Sequence, residues 1–157
     1  ALTVFTADCT PLLFHDPVTG AVGAAHAGWR GTAQAIGAKT VEAMAAHFGT
    51  NPGDLRCAIG AAIGSCCFET DDDVPAALRD ALGDEANAYM ERRGRKWHVD
   101  LKGLNAHWLR SIGVQHIDVC SHCTACMPEL YWSHRKMGNA RGVQAAMIAL
   151  QPREGRL

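Results

Sequence analysis

The chain has 157 residues, a length that suits one domain with a single hydrophobic core. Its 15 basic and 16 acidic side chains leave a net charge of −1, which gives no electrostatic reason to bind nucleic acid or a membrane surface. An apolar content of 48% excludes disorder as the main state. The 7 cysteines and 8 histidines are unusual in so short a chain, and they direct attention to metal or thiol chemistry.

The cysteine pattern predicts a reduced, cytoplasmic protein. Cys66 and Cys67 are adjacent and three others cluster within residues 120–126, so no evenly spaced disulfide framework is visible. We expect no signal peptide, because no basic segment followed by an apolar run is visible, and no apolar stretch approaches the roughly 18 residues of a membrane span. Residues 1–5 have the pattern of a β-strand and do not begin with Met. Because a native chain rarely begins inside a strand, we expect an N-terminal portion to be missing.

The first half of the chain predicts a β-hairpin followed by a helix. Strands are expected at residues 2–6, 11–15, 21–26 and 55–59, and a helix at 32–48. Asp16 to Gly20 has the composition of a turn, which would pair the second and third strands antiparallel.

In the second half, helical and extended patterns alternate. Helices are expected at residues 75–91 and 101–112, strands at 97–100, 114–119 and 142–150, and a basic solvated loop at 92–96. Interleaved strands and helices together with a hairpin predict an α/β fold with a mixed sheet.

Cys9 and His26 form the first candidate site. Each lies about the same distance from the turn, so pairing of the hairpin places both at one end. A thiolate and an imidazole together can bind zinc. They can also act as a nucleophile and its base in a cysteine hydrolase, or form a buried, hydrogen-bonded pair without chemistry.

Arg30 is a candidate for anion binding. It lies between Gly28 and Gly31 at the predicted start of a helix, where backbone N–H groups and a guanidinium would suit phosphate or carboxylate. The alternative is a salt-bridged arginine beside glycines that the turn requires.

A second candidate metal site is the spacing Cys120-x2-Cys123-x2-Cys126, with His116, His122 and His134 nearby. The spacing is close to that of iron–sulfur loops and zinc knuckles, but no fourth cysteine follows before Pro128. Simple burial of these cysteines is the alternative. Cys66 and Cys67 are expected to end a strand and point apart rather than bind metal.

Several motifs resemble one known family, that of laccase-domain proteins, also called polyphenol oxidases or purine nucleoside phosphorylases. The motifs are TADC at 6–9, AHAGWRG at 25–31, IGAAIGSCCFE at 59–69, VDL at 99–101 with Asn105, CT at 123–124, and SHR at 133–135 followed by Gly138 and Arg141. The agreement runs in order from residue 1 to about 150. Histidine pairs separated by one residue, which build a multicopper centre, do not occur.

The resemblance implies a mixed α/β fold of sheets flanked by helices, a layered sandwich like that of cysteine hydrolases. Residues 1–157 would form a single domain that lacks an N-terminal portion. In the family, one Cys and two His bind a catalytic zinc. Cys9 and His26 match two of these ligands, and the first His lies upstream of residue 1. His15 and His134 are conceivable substitutes, although their spacing does not favour them.

The activity implied is zinc-dependent phosphorolysis of purine nucleosides, with deamination of adenosine and cleavage of methylthioadenosine. Purine nucleoside and phosphate would be the partners. Arg30, Arg135 and Arg141 would bind phosphate, and Asp8 would orient a ligand or accept a proton. Copper-dependent oxidation of phenols, a thiol hydrolase or deamidase using Cys9 and His26, and a non-catalytic metal-binding or redox-sensing domain are the alternatives.

Overall fold

The computed structural model describes residues 1–150, so residues 151–157 of the predicted domain lie outside the described part. Its strands are β1 (Leu2–Thr6), β2 (Thr10–His15), β3 (Val22–Ala27), β4 (Arg56–Ile59), β5 (Glu69–Thr70), β6 (Met90–Arg93), β7 (Lys96–Val99), β8 (His116–Val119) and β9 (Gln144–Ile148). Its α-helices are α1 (Trp29–Ala33), α2 (Ile36–Phe48), α3 (Asp73–Leu82), α4 (Leu101–Ser111) and α5 (His134–Met137).

The strands form three sheets, and the largest is mixed as predicted. Its order is β3-β2-β4-β8, in which β2 pairs antiparallel with β3 and β4 whereas β4 pairs parallel with β8. β1 and β9 form an antiparallel ribbon, and β5, β7 and β6 form a third, antiparallel sheet. The α/β class with mixed pairing is therefore confirmed.

The main core lies between the large sheet and helices α2 and α4. Its fully buried side chains include Leu12, Phe14, Val41, Leu55 and Leu109. Full burial of each such side chain contributes about 1.5–3 kcal/mol. Within the described residues, every helix is too short or too polar to cross a bilayer.

The predicted hairpin is confirmed, and a carboxylate closes its turn. Asp16 is fully buried, and its Oδ1 accepts hydrogen bonds from the amides of Val18 at 2.8 Å and Thr19 at 3.1 Å. Its Oδ2 accepts from the Thr19 hydroxyl at 2.7 Å. Gly20 adopts φ +75, which a glycine reaches without strain.

Two predicted helices are shorter than expected. The helix predicted at residues 32–48 is divided into α1 and α2, because Ala35 takes a left-handed conformation with φ +55. The helix predicted at 75–91 ends at Leu82, where Gly83 has φ +62 and a 3-10 segment follows. A glycine inside a helical pattern weakens it by about 1 kcal/mol, which favours termination at this position.

The basic segment at residues 92–96 is a hairpin rather than a simple loop. β6 and β7 pair through a turn at Gly94, and Met90 opposite Val99 buries one end of the pair. Neither β6 nor the short β5 was predicted. β6 lacks the alternation of apolar and polar residues that predicts a strand, because three of its four residues are charged and exposed.

One edge of the large sheet collects the chain segments that carry the motifs. Ile59 and Val119 end the parallel strands β4 and β8 side by side, and Leu12 of β2 pairs with Ile59. Because β2 runs antiparallel to β4, its first residues lie at this same edge, together with the last residues of β3. The loops after β4 and β8 and the segment before β2 therefore meet there.

Candidate functional site

A cleft of about 240 Å³ opens beside Cys9, at this edge of the large sheet. Its lining consists of Ala7, Asp8, Cys9, Ile63, Phe68, His134, Arg135 and Arg141. Cys9 follows Asp8, whose φ of +84 turns the chain sharply between β1 and β2. The cleft thus combines a half-buried thiol with two arginines and a histidine.

The hairpin places Cys9 and His26 at the same end, as predicted. Thr10 pairs with Ala27 and Pro11 with His26, so Cys9 reaches the level of Gly28. A Cβ on Gly28 would lie 3.2 Å from the Cys9 sulfur, which shows how closely the two strand ends approach. The His26 side chain is exposed on the adjacent strand and is not part of the cleft lining.

The environment of Cys9 favours the neutral thiol. Partial burial raises its pKa above the ordinary value, and the neighbouring Asp8 carboxylate raises it further. Arg141 acts in the opposite direction by favouring the thiolate. This surrounding therefore does not supply the lowered pKa that one class of activated cysteine nucleophile has.

Asp8 is nearly buried, and both of its carboxylate oxygens are occupied. Oδ1 accepts a hydrogen bond from the Thr124 hydroxyl at 2.6 Å, and Oδ2 accepts one from the backbone amide of Arg135 at 2.6 Å. Its backbone carbonyl accepts from the amide of Ile63 at 2.9 Å. Asp8 therefore links the segments around Ile63, Thr124 and Arg135 at the wall of the cleft.

Arg135 and Arg141 lie in the cleft, as their predicted anion-binding role requires. The Arg135 guanidinium donates to the carbonyls of Cys67 and Glu69, both at 2.9 Å. Arg141 donates from Nε to His134 Nδ1 at 3.2 Å and from Nη1 to the carbonyl of Gly142 at 3.2 Å. These contacts hold two positive charges in place beside Cys9.

Arg30 occupies a different position from the one its predicted role implies. Its guanidinium stacks 4.1 Å from the Trp29 ring centroid and lines a separate cleft of about 380 Å³ between α1 and α3. The lining of the Cys9 cleft does not include Arg30. The structure thus groups Arg135 and Arg141 with Cys9 and leaves Arg30 apart.

The family resemblance implies a zinc ion, and Cys9 and His26 offer donor atoms that suit it. Sulfur and imidazole nitrogen are ligands that zinc prefers, but a catalytic site uses three protein ligands. His15 pairs with Val22 at the opposite end of the hairpin, so it is not positioned as the third. His134 does line the Cys9 cleft, with Nδ1 accepting from Arg141. The donor set therefore fits zinc in type and is one ligand short without His134.

Within residues 1–150, one group of at least three potential metal ligands converges, and it lies beside the cleft. It comprises Cys66, Cys67, Cys123 and Cys126, whose sulfurs all lie within 4.8 Å of one another. The expectation that Cys66 and Cys67 point apart at a strand end was wrong, because they lie in a tight turn. Cys120, which the spacing joined to Cys123 and Cys126, is outside the group. Two closely spaced cysteine pairs far apart in sequence were the signal that could have revealed it.

Comparison with known proteins agrees with the motif resemblance. A family model described as multi-copper polyphenol oxidoreductase laccase matches residues 1–151. The purine nucleoside phosphorylase YlmD of Bacillus subtilis is 37% identical over 153 residues, which cover 96% of this chain and 55% of that protein. The adenosine deaminase RL5 of an unknown prokaryotic organism is 33% identical over 138 residues, with coverages of 86% and 53%.

The solved structures support the same relationship. The crystal structure of YlmD from Geobacillus stearothermophilus superposes with a TM-score of 0.86 at 38% identity, covering 91% of this chain and 54% of that one. The mixed α/β arrangement of several sheets and helices is thus shared with that protein. The chain spans about half the length of the curated relatives it matches.

Proposed function

The chain belongs to the multi-copper polyphenol oxidoreductase laccase family, and on that basis we propose that it acts on purine nucleosides. The reaction is phosphorolysis of the glycosidic bond, with deamination of adenosine and cleavage of methylthioadenosine as further activities. Relatives named purine nucleoside phosphorylase and adenosine deaminase support the first two activities. The third rests on the family resemblance alone.

The observation that carries the proposal is the cleft that joins Cys9 to two arginines. Phosphorolysis needs a site for phosphate, and guanidinium groups bind phosphate oxygens through charge-assisted hydrogen bonds. Arg141 and Arg135 are held at this cleft by their contacts with His134, Gly142, Cys67 and Glu69. We therefore assign phosphate to the arginine side of the cleft, and the nucleoside to the space between it and Cys9.

Cys9 and His26 would hold the catalytic zinc, with copper as the other metal that the family name suggests. A bound zinc supplies a water of lowered pKa, which is the chemistry that deamination requires. Cys9 is half-buried at the wall of the cleft, and the hairpin fixes the relative position of the Cys9 and His26 backbones. Both features favour a preorganised metal site over a flexible one.

Two alternatives have less support. A thiol hydrolase would use Cys9 as a nucleophile, but burial and Asp8 raise the pKa of its thiol, which disfavours the reactive thiolate. The cysteine-hydrolase-like layering of the fold remains a prediction. A multicopper polyphenol oxidase would need histidine pairs separated by one residue, and the sequence has none.

The proposal is tested by nucleoside turnover with and without phosphate, together with metal content, in the wild type and in Cys9→Ala. Loss of a zinc ligand should lower kcat/KM for inosine phosphorolysis by about 100-fold or more. Cys120→Ala is the matched control, because it removes a cysteine that belongs neither to the Cys9 cleft nor to the four-cysteine group. If Cys9→Ala keeps both wild-type turnover and wild-type metal content, the assignment is wrong.

A further inference from the structure

The four cysteines Cys66, Cys67, Cys123 and Cys126 lie at the meeting point of two loops. Residues 60–67 leave β4 and residues 120–126 leave β8, and these two strands end side by side in parallel. All four sulfurs lie within 4.8 Å of one another, with 3.6 Å from Cys66 to Cys126 and 3.3 Å from Cys67 to Cys126. Four sulfurs at about 2.3 Å from one zinc ion lie about 3.8 Å apart, which is close to this spacing.

The backbone holds the two loops in position independently of the sulfurs. Ala62 and Cys123 form a parallel bridge that extends the β4–β8 pairing, and the Thr124 amide donates to the Ala62 carbonyl at 3.1 Å. In the first loop the amides of Cys67 and Phe68 donate to the Gly64 carbonyl at 3.0 and 2.9 Å.

The second loop repeats this arrangement: the amides of Cys126 and Met127 both donate to the Cys123 carbonyl at 3.2 Å. Each loop is therefore a turn that points two sulfurs toward a common centre.

Gly64 contributes a further contact to the cysteine group. Its amide donates to the Cys123 sulfur at 3.2 Å, and such a donor stabilises a thiolate. A Cβ at this position would lie 3.2 Å from both the Cys123 Cβ and the Cys66 sulfur. A side chain here would press on the group, so a glycine suits the close approach of the two loops.

We propose that Cys66, Cys67, Cys123 and Cys126 form a structural zinc site, separate from Cys9 and His26. Tetrahedral coordination by four sulfurs is the geometry of structural zinc or of iron, and a complete thiolate set leaves no position for substrate. Within residues 1–150 all of these cysteines are free rather than paired in disulfides. Cys66 and Cys126 are exposed, which gives the ion a path from solvent.

The surroundings suit the charge of such a site. Four thiolates around Zn²⁺ carry a net charge of −2, and a nearby cation lowers the cost of that charge. The surface cleft that Cys66 and Cys67 line contains two cations, Arg135 and Lys136, against the single carboxylate of Glu69, and Arg135 donates to the Cys67 carbonyl. On the other side, Thr124 next to Cys123 donates to Asp8. The zinc would brace the loops that hold Asp8 and Arg135 at the Cys9 cleft.

The experiment is a metal analysis of wild type, Cys126→Ser, Cys66→Ser and the control Cys120→Ser, each purified under reducing conditions. Both test positions are exposed, which favours folding of the variants. We expect Cys126→Ser and Cys66→Ser each to lose about one zinc ion per chain, while Cys120→Ser keeps the wild-type content. Cobalt substituted into wild type should give tetrahedral ligand-field bands and strong thiolate charge-transfer absorption, weakened in the two test variants.

Cys9→Ala in the same series separates this proposal from the catalytic one, because it should keep the metal bound by the four cysteines. Titration of Cys9→Ala with a mercurial reagent should then release the zinc of the four-cysteine site alone. Unchanged zinc in both test variants, iron as the bound metal, or a disulfide among the four cysteines in reduced protein would each overturn the proposal.

Discussion

At the scale of single residues, Asp8 links three separate parts of the chain around the cleft. The sequence predicted that it orients a ligand or accepts a proton. In the structure both carboxylate oxygens instead accept hydrogen bonds from the protein, one from the Thr124 hydroxyl and one from the Arg135 amide. We therefore interpret Asp8 as a positioning residue that acts through these two partners.

This interpretation predicts different results for two substitutions. Asp8→Ala leaves one buried donor and one partly buried donor without an acceptor and should lower the free energy of unfolding by about 3 kcal/mol. Asp8→Asn should keep most of the stability and turnover, since an amide can accept from Arg135, donate to Thr124 and tolerate positive φ. Chemical denaturation and steady-state kinetics check both variants. Asp8→Asn that folds normally but has lost turnover would instead identify Asp8 as a proton acceptor.

Cys66 and Cys67 show where reasoning from single residues fails. Adjacent cysteines in extended chain do point apart, and the prediction assumed an extended chain. The segment folds into a turn because the Gly64 carbonyl accepts from Cys67 and Phe68. The partner sulfur of Cys126 lies about sixty positions further along the chain, and local pattern carries no information about it.

At the scale of elements, the β2–β3 hairpin depends on the turn that Asp16 closes. The hairpin was predictable to within one residue at its strand ends, because Pro17 and Gly20 have fixed conformational roles and the flanking residues are apolar. The break at Ala35 was not, since alanine is a strong helix former and its left-handed conformation has no sequence signature. The placement of Cys9 and His26 at one end of the hairpin therefore followed from the sequence, as did Arg30 in the first turn of a helix, whereas the separation of Arg30 from the Cys9 cleft did not.

The hairpin turn predicts an acid-sensitive contribution to stability. Burial alone would raise the pKa of Asp16, but hydrogen bonds from Thr19 and Val18 outweigh it and lower the pKa to about 2. Because the folded pKa is below the unfolded value of about 3.9, the ionised carboxylate stabilises the fold by about 2 kcal/mol at neutral pH. This contribution is complete above about pH 5 and is lost as the pH falls towards 2.

Unfolding free energies measured across this range should fall more steeply with acid in the wild type than in Asp16→Asn. Asp84→Asn, at an exposed carboxylate, is the matched control and should follow the wild-type curve. Parallel curves for wild type and Asp16→Asn would show that Asp16 has no such role.

At the scale of the whole molecule, the two candidate sites share one edge of the central sheet. The four-cysteine group follows the ends of β4 and β8, and Cys9 and His26 lie at the neighbouring ends of β2 and β3. The α/β class and the mixed pairing could be predicted from alternating patterns. The meeting of the two cysteine loops could not, because it depends on the order of strands within the sheet.

This arrangement predicts that the cysteine group stabilises one side of the Cys9 cleft rather than the entire fold. In Cys126→Ser, loss of the proposed zinc should increase amide hydrogen exchange at Phe68, Met127 and Arg135, which lie in or beside the two loops. The amides of α2 pack in the main core and should keep their protection.

Hydrogen exchange followed by mass spectrometry on wild type, Cys126→Ser and the control Cys120→Ser checks this. The control should match the wild type at every segment. Uniform loss of protection, including α2, would mean that the cysteine group supports the whole fold. No change at Arg135 would mean that Asp8 holds the cleft wall without help from the cysteine group, because the Asp8 carboxylate accepts the hydrogen bond from that amide.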